Sequence, residues 1–368
     1  MNDTRHKLGD LAEISAGGGA PQDPECFGHV GHPFIRAGSL SALTKSGPEE
    51  SLEQIDENVA RQHRLRLFPK ATIVFAKSGM SATKGLVYQL RQPCHVVNHL
   101  AAIVCGPRLD AAYLAQRLRF DSPTKLIQDA AYPSIRLSDI AAMEIPLPPL
   151  PEQHRIAAIL DKADALRVTR REALGKLDSL AQSIFLEMFG DPVTNPKGMR
   201  KVPLGDLIKL KSGEFLPATG MSEAGTYSVL GGNGINGFHD KYMFEIPQIV
   251  IGRVGAYCGC VHVSPPKSWV TDNALYVSER SPDLSFDYLV KALIHARLNQ
   301  YASQFGQPLI SGSRIYPVRI LVPPGDLQRN FASRIAAVAK LKPQYDTSLG
   351  KLDALFASLQ HRAFRGEL

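Results

Sequence analysis

The chain has 368 residues, 44% of them hydrophobic, with a formal charge of +7 and a pI near 9.1; that length divides more naturally into two cores than into one, and the basic balance favours a polyanionic partner. No run approaches the ~18 uninterrupted apolar residues of a bilayer span, and residues 1–10 are polar and mixed in charge, so neither a membrane protein nor an exported one is expected and the cytoplasm is the expected compartment. Cys26, Cys94, Cys105, Cys258 and Cys260 are odd in number and scattered through apolar stretches, which suits reduced thiols better than a disulfide framework.

In chain order, residues 1–150 are expected to form a first domain of mixed α and β structure. Thr72 to Ala76 and Val96 to Val104 are β-branched runs bounded by Gly or Pro and read as strands, while Leu109 to Phe120 reads as one helix. After the breaker run Pro146-Leu147-Pro148-Pro149-Leu150-Pro151, apolar residues at Ile156, Ile159, Ala163, Leu166, Ala173, Leu177, Leu180 and Ile184 follow steps of three and four. That spacing predicts a long helix over 151–188, closed by Gly190-Asp191-Pro192. Residues 189–322 form a second mixed domain, with strands at Gln248 to Gly252 and Cys260 to Val263, a helix at Phe286 to Gln300, and a glycine-rich loop from Gly231 to Gly237 between strands. A second helical pattern over 323–368 carries Phe331, Val338, Leu341, Tyr345, Leu352, Leu355 and Leu359; Pro343 inside it removes a backbone donor and predicts a kink or break. Both apolar stripes are too narrow to be buried all round, so the two helices are expected to pack as an antiparallel coiled coil. The four segments carry net charges of +1, 0, +3 and +3, so binding to a polyanion would need folded local patches rather than a basic tail.

The two halves are copies of one another. Leu8-Gly9-Asp10-Leu11 recurs as Leu204-Gly205-Asp206-Leu207, with Gly17 and Pro21 recurring as Gly213 and Pro217. Ile73 to Gly79 matches Ile249 to Gly255, Pro133 matches Pro308, and Leu174-Gly175-Lys176-Leu177-Asp178 returns unchanged as Leu349-Gly350-Lys351-Leu352-Asp353. The fold class expected is therefore α+β: two mixed domains separated by two long helices, with a pseudo-two-fold internal repeat.

The stretch from Pro148 through Pro151-Glu152-Gln153-His154-Arg155-Ile156 to Asp164 resembles the start of the central helix in the specificity subunits of type I restriction-modification systems. Phe185 to Pro192 resembles its end, and Gly231-Gly232-Asn233-Gly234-Ile235 resembles a recurrent loop of the recognition domains. The resemblance covers the duplication as well; it is weakest in the last helix, where Leu327-Gln328 replaces Glu152-Gln153. It implies a non-catalytic reader of a bipartite, asymmetric double-stranded DNA target, with the helices setting the spacing. Its implied partners are two methyltransferase subunits and a translocating nuclease subunit, with S-adenosylmethionine held by the methyltransferase and no cofactor or metal on this chain. Residues 1–150 and 189–322 would be the two target recognition domains, and 151–188 and 323–368 the two conserved helices.

Base readout needs paired donors and acceptors, Arg or Lys for guanine and Asn or Gln for adenine. In the second domain the loop candidates are Asn233, Asn236, His239, Lys241, Arg253 and Tyr257; the two asparagines could equally be holding tight turns. In the first they are Arg36, Ser39, Lys45, Lys77, Ser78, Ser81, Thr83 and Lys84. Lys77 and Arg253 match across the repeat and suit a phosphate contact. Tyr132, Ser134, Gln307, Ser311 and Arg314 lie in equivalent loops and are secondary candidates. Arg61, Arg64 and Arg66 read as an internally paired helix face beneath a run of acids. Cys258, Cys260 and His262 would share one strand face but lack a second ligand pair at zinc spacing, and His99 is given a structural role because its repeat equivalent is Asn273. Two other function classes stand beside the reader: a self-contained DNA methyltransferase or nuclease, for which no cofactor loop, Walker loop or nuclease motif is found, and a coiled-coil adaptor that binds no DNA.

Overall fold

The computed structural model describes residues 5–303 and 306–368. It divides into two compact units: Met1–Glu172 with Thr347–Leu368, and Ala173–Asp346. Each contains one mixed domain and one half of each long helix.

In the first unit, Ala12–Ala16, Leu100–Cys105, Ile73–Ala76 and Val87–Gln89 form an antiparallel sheet in that order. The two central strands alternate their apolar side chains between two cores. Ile73, Phe75, Ala101 and Ile103 pack with Tyr113, Leu114 and Leu118 of the helix Ala111–Phe120. Val74, Ala76, Leu100 and Ala102 pack with Phe34, Phe68 and Val96 of a second sheet. A strand buried on both faces must be apolar throughout, which explains why these runs lack the polar half of an amphipathic strand. The second sheet has the order Gln54–Ile55, His32–Ile35, Cys94–Val96, Leu67–Phe68, with a parallel pair at Phe34 and His95.

The second unit repeats the plan. Its main sheet runs Ile208–Ser212, Ala274–Arg280, Ile249–Gly252, Val261–Val263, and its second sheet Gly234–His239, Tyr227–Gly231, Trp269–Val270. The parallel pair returns at Val229 and Trp269. A buried tyrosine marks the repeat most sharply: the Tyr113 hydroxyl donates to the Pro146 carbonyl at 2.9 Å, and that of Tyr288 to the Leu321 carbonyl at 2.7 Å. Tyr288→Phe should leave a buried carbonyl unsatisfied and lower the stability of the second unit by ~1–2 kcal/mol. Denaturant unfolding of the variant checks this, and an unchanged midpoint would count against the bond.

The long helices span Leu150–Phe189 and Gly325–Ala363. Pro151 falls in the first turn, where its missing donor costs nothing, and Gly190 ends the first helix at φ 77° with its N–H on the Leu186 carbonyl at 2.8 Å. Within each unit the helices run antiparallel. In the first, Arg167 and Arg171 both meet Asp353 while Arg155 reaches Leu368; in the second, Lys342 meets Asp178 and Arg334 meets Glu187.

Several expectations are corrected. The second helix continues through Pro343 without a break, because Pro343 and Ala339 are exposed and water can take the carbonyl that the proline leaves free. Leu166 and Leu180 are 52% and 45% exposed and do not belong to the seam. Leu160, Arg167, Leu174 and Ala181 hold that frame instead. Arg167 is tolerated there by lying over the Phe356 ring at 4.2 Å and pairing with Asp164 and Asp353. Likewise Leu341 and Leu355 of the second helix are exposed. The strand expected over Val96 to Val104 is two strands parted at Val97 to His99, and the helix expected to Gln300 ends at His295, where Arg297 turns left-handed at φ 47°. Arg61 does pair with Glu57 along a helix, but that helix is only Glu57–Gln62, and Arg66 lies beyond it, bonded to Glu13. Among the described residues no helix is long and apolar enough to cross a membrane.

Candidate nucleic-acid interface

Each unit gathers its loops into a platform at one end of its two sheets. In the second unit, Gly213 N–H bonds to the Ala274 carbonyl, Thr271 N–H to Leu230, Arg253 N–H to Asn273 and Gly255 N–H to Pro308, while Ile310 N–H returns to Arg253. In the first unit, Gly17 N–H bonds to Leu100, Val97 N–H to Ile35, Lys77 N–H to His99 and Gly79 N–H to Pro133, while Ile135 N–H returns to Lys77. These two sets of bonds are the same set on equivalent residues. The recurrence of Gly17 and Gly213 has a packing cause: a Cβ there would lie 2.0 Å from the Val96 oxygen or 2.2 Å from that of Val270. Gly79 and Gly255 recur because both take positive φ, 73° and 76°.

The second platform holds Asn233, Arg253, Tyr257 and Gln307 together. Asn233 is exposed in the two-residue turn between Tyr227–Gly231 and Gly234–His239, and the Gly232 carbonyl behind it accepts from His262 Nε2 at 3.2 Å. The Arg253 guanidinium is half-buried and donates to Ser212 Oγ at 3.0 Å and the Asp272 carbonyl at 3.3 Å. Its own carbonyl accepts from the Cys258 thiol, which burial pushes up and keeps protonated. Tyr257 is 49% exposed, and Gln307 lies beside Gly255. Asn236 folds its amide over Gly231, and Ser311 bonds to Ser313 next to exposed Arg314. His239 sits at the far end of its strand from the turn, holding the Gly220 carbonyl at 2.8 Å, and Lys241 follows it; neither joins the cluster.

The first platform brings together Arg36, Ser39, Lys77, Ser78, Tyr132 and Ser134. Arg36 follows the parallel strand where the second unit has Gly231, stacks on Phe27 and pairs with Glu53 at 3.0 Å. Ser78 pairs with Ser134 across a β-bridge, and Tyr132 beside it is 82% exposed. Half-buried Ser81 and exposed Thr83 and Lys84 continue from Gly79 in a short turn around buried Ala82. Lys45 is placed elsewhere, at the opposite end of Cys94–Val96, where neighbouring Gly47 accepts from Arg91. Among the described residues Lys77, Lys84 and Arg314 make no ion pair, so their charges are uncommitted.

His99, assigned a structural role from the sequence, is exposed on this platform with Nδ1 2.8 Å from Ser78 Oγ. Asn98 beside it and Asn273 in the second unit are exposed as well and are not among the candidates that the sequence offers. The sequence signal for them is that His99 and Asn273 hold equivalent positions of the repeat, each just before a strand. Cys258 and Cys260 do not share a strand face, because Gly259 at φ 85° turns the chain and the strand begins only at Val261. Among the described residues no group of three or more His, Cys, Asp or Glu side chains could hold a metal ion.

The family model of the type I restriction modification DNA specificity domain matches residues 4–175 and 196–344. Among curated proteins, the specificity subunit of the type I restriction enzyme EcoprrI of Escherichia coli is 30% identical over 192 residues, 48% of this chain and 47% of that one. The MjaIX specificity subunit of Methanocaldococcus jannaschii is 28% identical over 148 residues, 39% of this chain and 34% of its own. The matches thus span less than half the length of these curated relatives. Among solved structures, the S subunit of a type I restriction-modification system from M. genitalium is 17% identical with a TM-score of 0.66, covering 98% of this chain and 96% of that one. A chain from a study of assembly and conformational transition in the type I R-M system is 18% identical with a TM-score of 0.53, covering 99% and 98%. At those identities the structures establish the shared fold.

Proposed function

The chain belongs to the family of type I restriction modification DNA specificity domains, and from that premise we propose that it is the sequence-reading subunit of a restriction-modification complex, each unit reading one half of a bipartite double-stranded DNA target. The observation that carries this reading is the duplicated platform, where the same backbone bonds fix Lys77 in one unit and Arg253 in the other. Two equivalent rigid surfaces on one chain suit two separated DNA segments, since each reader must meet its groove in a fixed orientation. Asn233 and Gln307 offer amide donor-acceptor pairs for adenine, and the Arg253 fork suits guanine or phosphate.

No catalytic role is proposed for the chain. Methyl transfer and cleavage are assigned to partners, two methyltransferase subunits that bind S-adenosylmethionine and a translocating nuclease subunit, in the cytoplasm. The repeat supports two equivalent docking positions. Leu166 and Leu355 lie exposed on the long helices of the first unit, and Leu180 and Leu341 on those of the second. Apolar groups displaced from the helix seam are what a partner surface would cover.

Asn233→Ala should weaken recognition in one half-target by ~1–3 kcal/mol and leave the other half unchanged. Lys77→Ala should weaken binding across sequences and lower the salt slope by about one unit. Electrophoretic shifts of the complex on duplexes randomised in each half check both. Equal loss at both halves from Asn233→Ala would contradict independent readers.

A further inference from the structure

Phe215 is an exposed apolar side chain that follows a firmly held stretch of backbone. It is 72% exposed; a single apolar residue at a surface is ordinary, and on a loose loop it would carry no meaning. Here the residue before it is tied through both peptide groups. Glu214 donates its N–H to the Val270 carbonyl at 2.9 Å, and its own carbonyl accepts from the Trp269 indole Nε1 at 3.2 Å. Gly213 lies so close to the strand end that a Cβ would sit 2.2 Å from the Val270 oxygen and 2.4 Å from that of Thr271. One residue earlier still, Ser212 Oγ accepts from the Arg253 guanidinium at 3.0 Å. An exposed aromatic ring and the hydroxyl that anchors a guanidinium therefore lie three residues apart, with a fixed peptide between them, on the platform that carries Asn233. The repeat equivalent of Phe215 in the first unit is Gly19, which faces open space. The feature belongs to the second unit alone.

Resting on the reading of that platform as a DNA surface, we infer that Phe215 makes an apolar contact with the 5-methyl group of a thymine in the half-target read by the second unit. A phenyl ring offers no strong donor or acceptor to a base edge, and the only apolar group in the major groove is that methyl. A ring whose preceding peptide is already fixed loses less backbone freedom on contact than one on a loose loop, so more of the burial of the methyl is expressed in affinity.

The test uses the chain assembled with its methyltransferase partner and a target duplex in which each thymine is replaced in turn by deoxyuridine, which lacks the methyl. One position in one half should lose about fourfold in affinity, the size expected for one buried methyl-sized group. Phe215→Ala should weaken binding to the thymine duplex and abolish the difference between thymine and deoxyuridine there, and Phe215→Leu should retain part of it. The inference is overturned if that half has no methyl-sensitive position, if the sensitivity survives in Phe215→Ala, or if Phe215→Ala impairs assembly with the methyltransferase instead. Asn233→Ala in the same series separates the two levels. If it alters half-target preference while Phe215→Ala does not, only the role of the ring fails; if neither alters it, the DNA-reading platform fails with it.

Discussion

Gln153→Ala is expected to destabilise the first unit by ~3 kcal/mol or more and to loosen the joint between its domain and the first long helix. Gln153 is 1% exposed and its side-chain amide is fully engaged. Its Oε1 accepts from the Asp110 N–H at 2.8 Å, and its Nε2 donates to the Arg108 carbonyl at 3.0 Å and the Pro148 carbonyl at 2.8 Å. Alanine leaves one donor and two acceptors buried without that partner, each costing ~1–3 kcal/mol before water relieves part of it. The second unit repeats the clasp: Gln328 accepts from the Ser285 N–H at 2.7 Å and donates to the carbonyls of Asp283 and Pro323, both at 2.8 Å. Gln328→Ala should cost the same. Gln153→Glu sharpens the test, because a carboxylate can accept from Asp110 but confronts two carbonyls where the amide donated. Its folded-state pKa should rise above the ordinary carboxylate value, so the variant should be least stable at neutral pH and recover as pH falls and the carboxyl protonates. Denaturant unfolding from pH 7 to pH 4 measures this, and a pH-independent deficit relative to the parent would contradict the clasp.

The second large effect concerns spacing. One matched heptad inserted into both long helices, between Glu172 and Ala173 and between Asp346 and Thr347, falls where each helix passes from one unit to the other. Seven residues preserve the seam and add ~10 Å of helix. That is about three base pairs along the duplex at ~3.4 Å each. If the helix pair sets the distance between the half-targets, the altered chain should keep both half-sequences and gain about three unspecified base pairs between them. Mapping methylated bases in cells that supply the methyltransferase would reveal this. An active variant with its original gap would rule out the helices as the ruler.

Much of this architecture was legible because duplication is a global signal that survives errors in local assignment. The five-residue block at Leu174 and Leu349, the paired prolines before each helix and the recurrent Gly17 and Gly213 all correspond to equivalent places in the fold. Assignments that depended on partners distant in sequence were harder. The helix seam admits two frames when only apolar residues are counted; the frame through Arg167 is favoured because Phe356 and Asp353, nearly two hundred residues away, receive its stem and its charge. Val97 to His99 read as strand because Val96 before them and Leu100 to Val104 after them are apolar, yet Gly18 and Ile35 take the backbone bonds of Asn98 and Val97 and turn them onto the platform. His99 reads as structural in the sequence because its equivalent is Asn273. Yet a reader that differs between its two halves is where equivalent positions should carry different side chains. Leu327-Gln328 departs from Glu152-Gln153, but the retained glutamine makes the same clasp as Gln153, while Glu152 pairs with Arg155 at the surface.

The claim that this chain reads two half-targets is tested most directly by mapping methylated bases across DNA from cells expressing it with the methyltransferase subunit proposed as its partner, beside cells in which residues 196–322 are exchanged for those of another family member. The account predicts two specified segments separated by a fixed unspecified gap, with the exchange rewriting one segment and leaving the other intact. A single uninterrupted motif, or an exchange that rewrites both segments together, would contradict it.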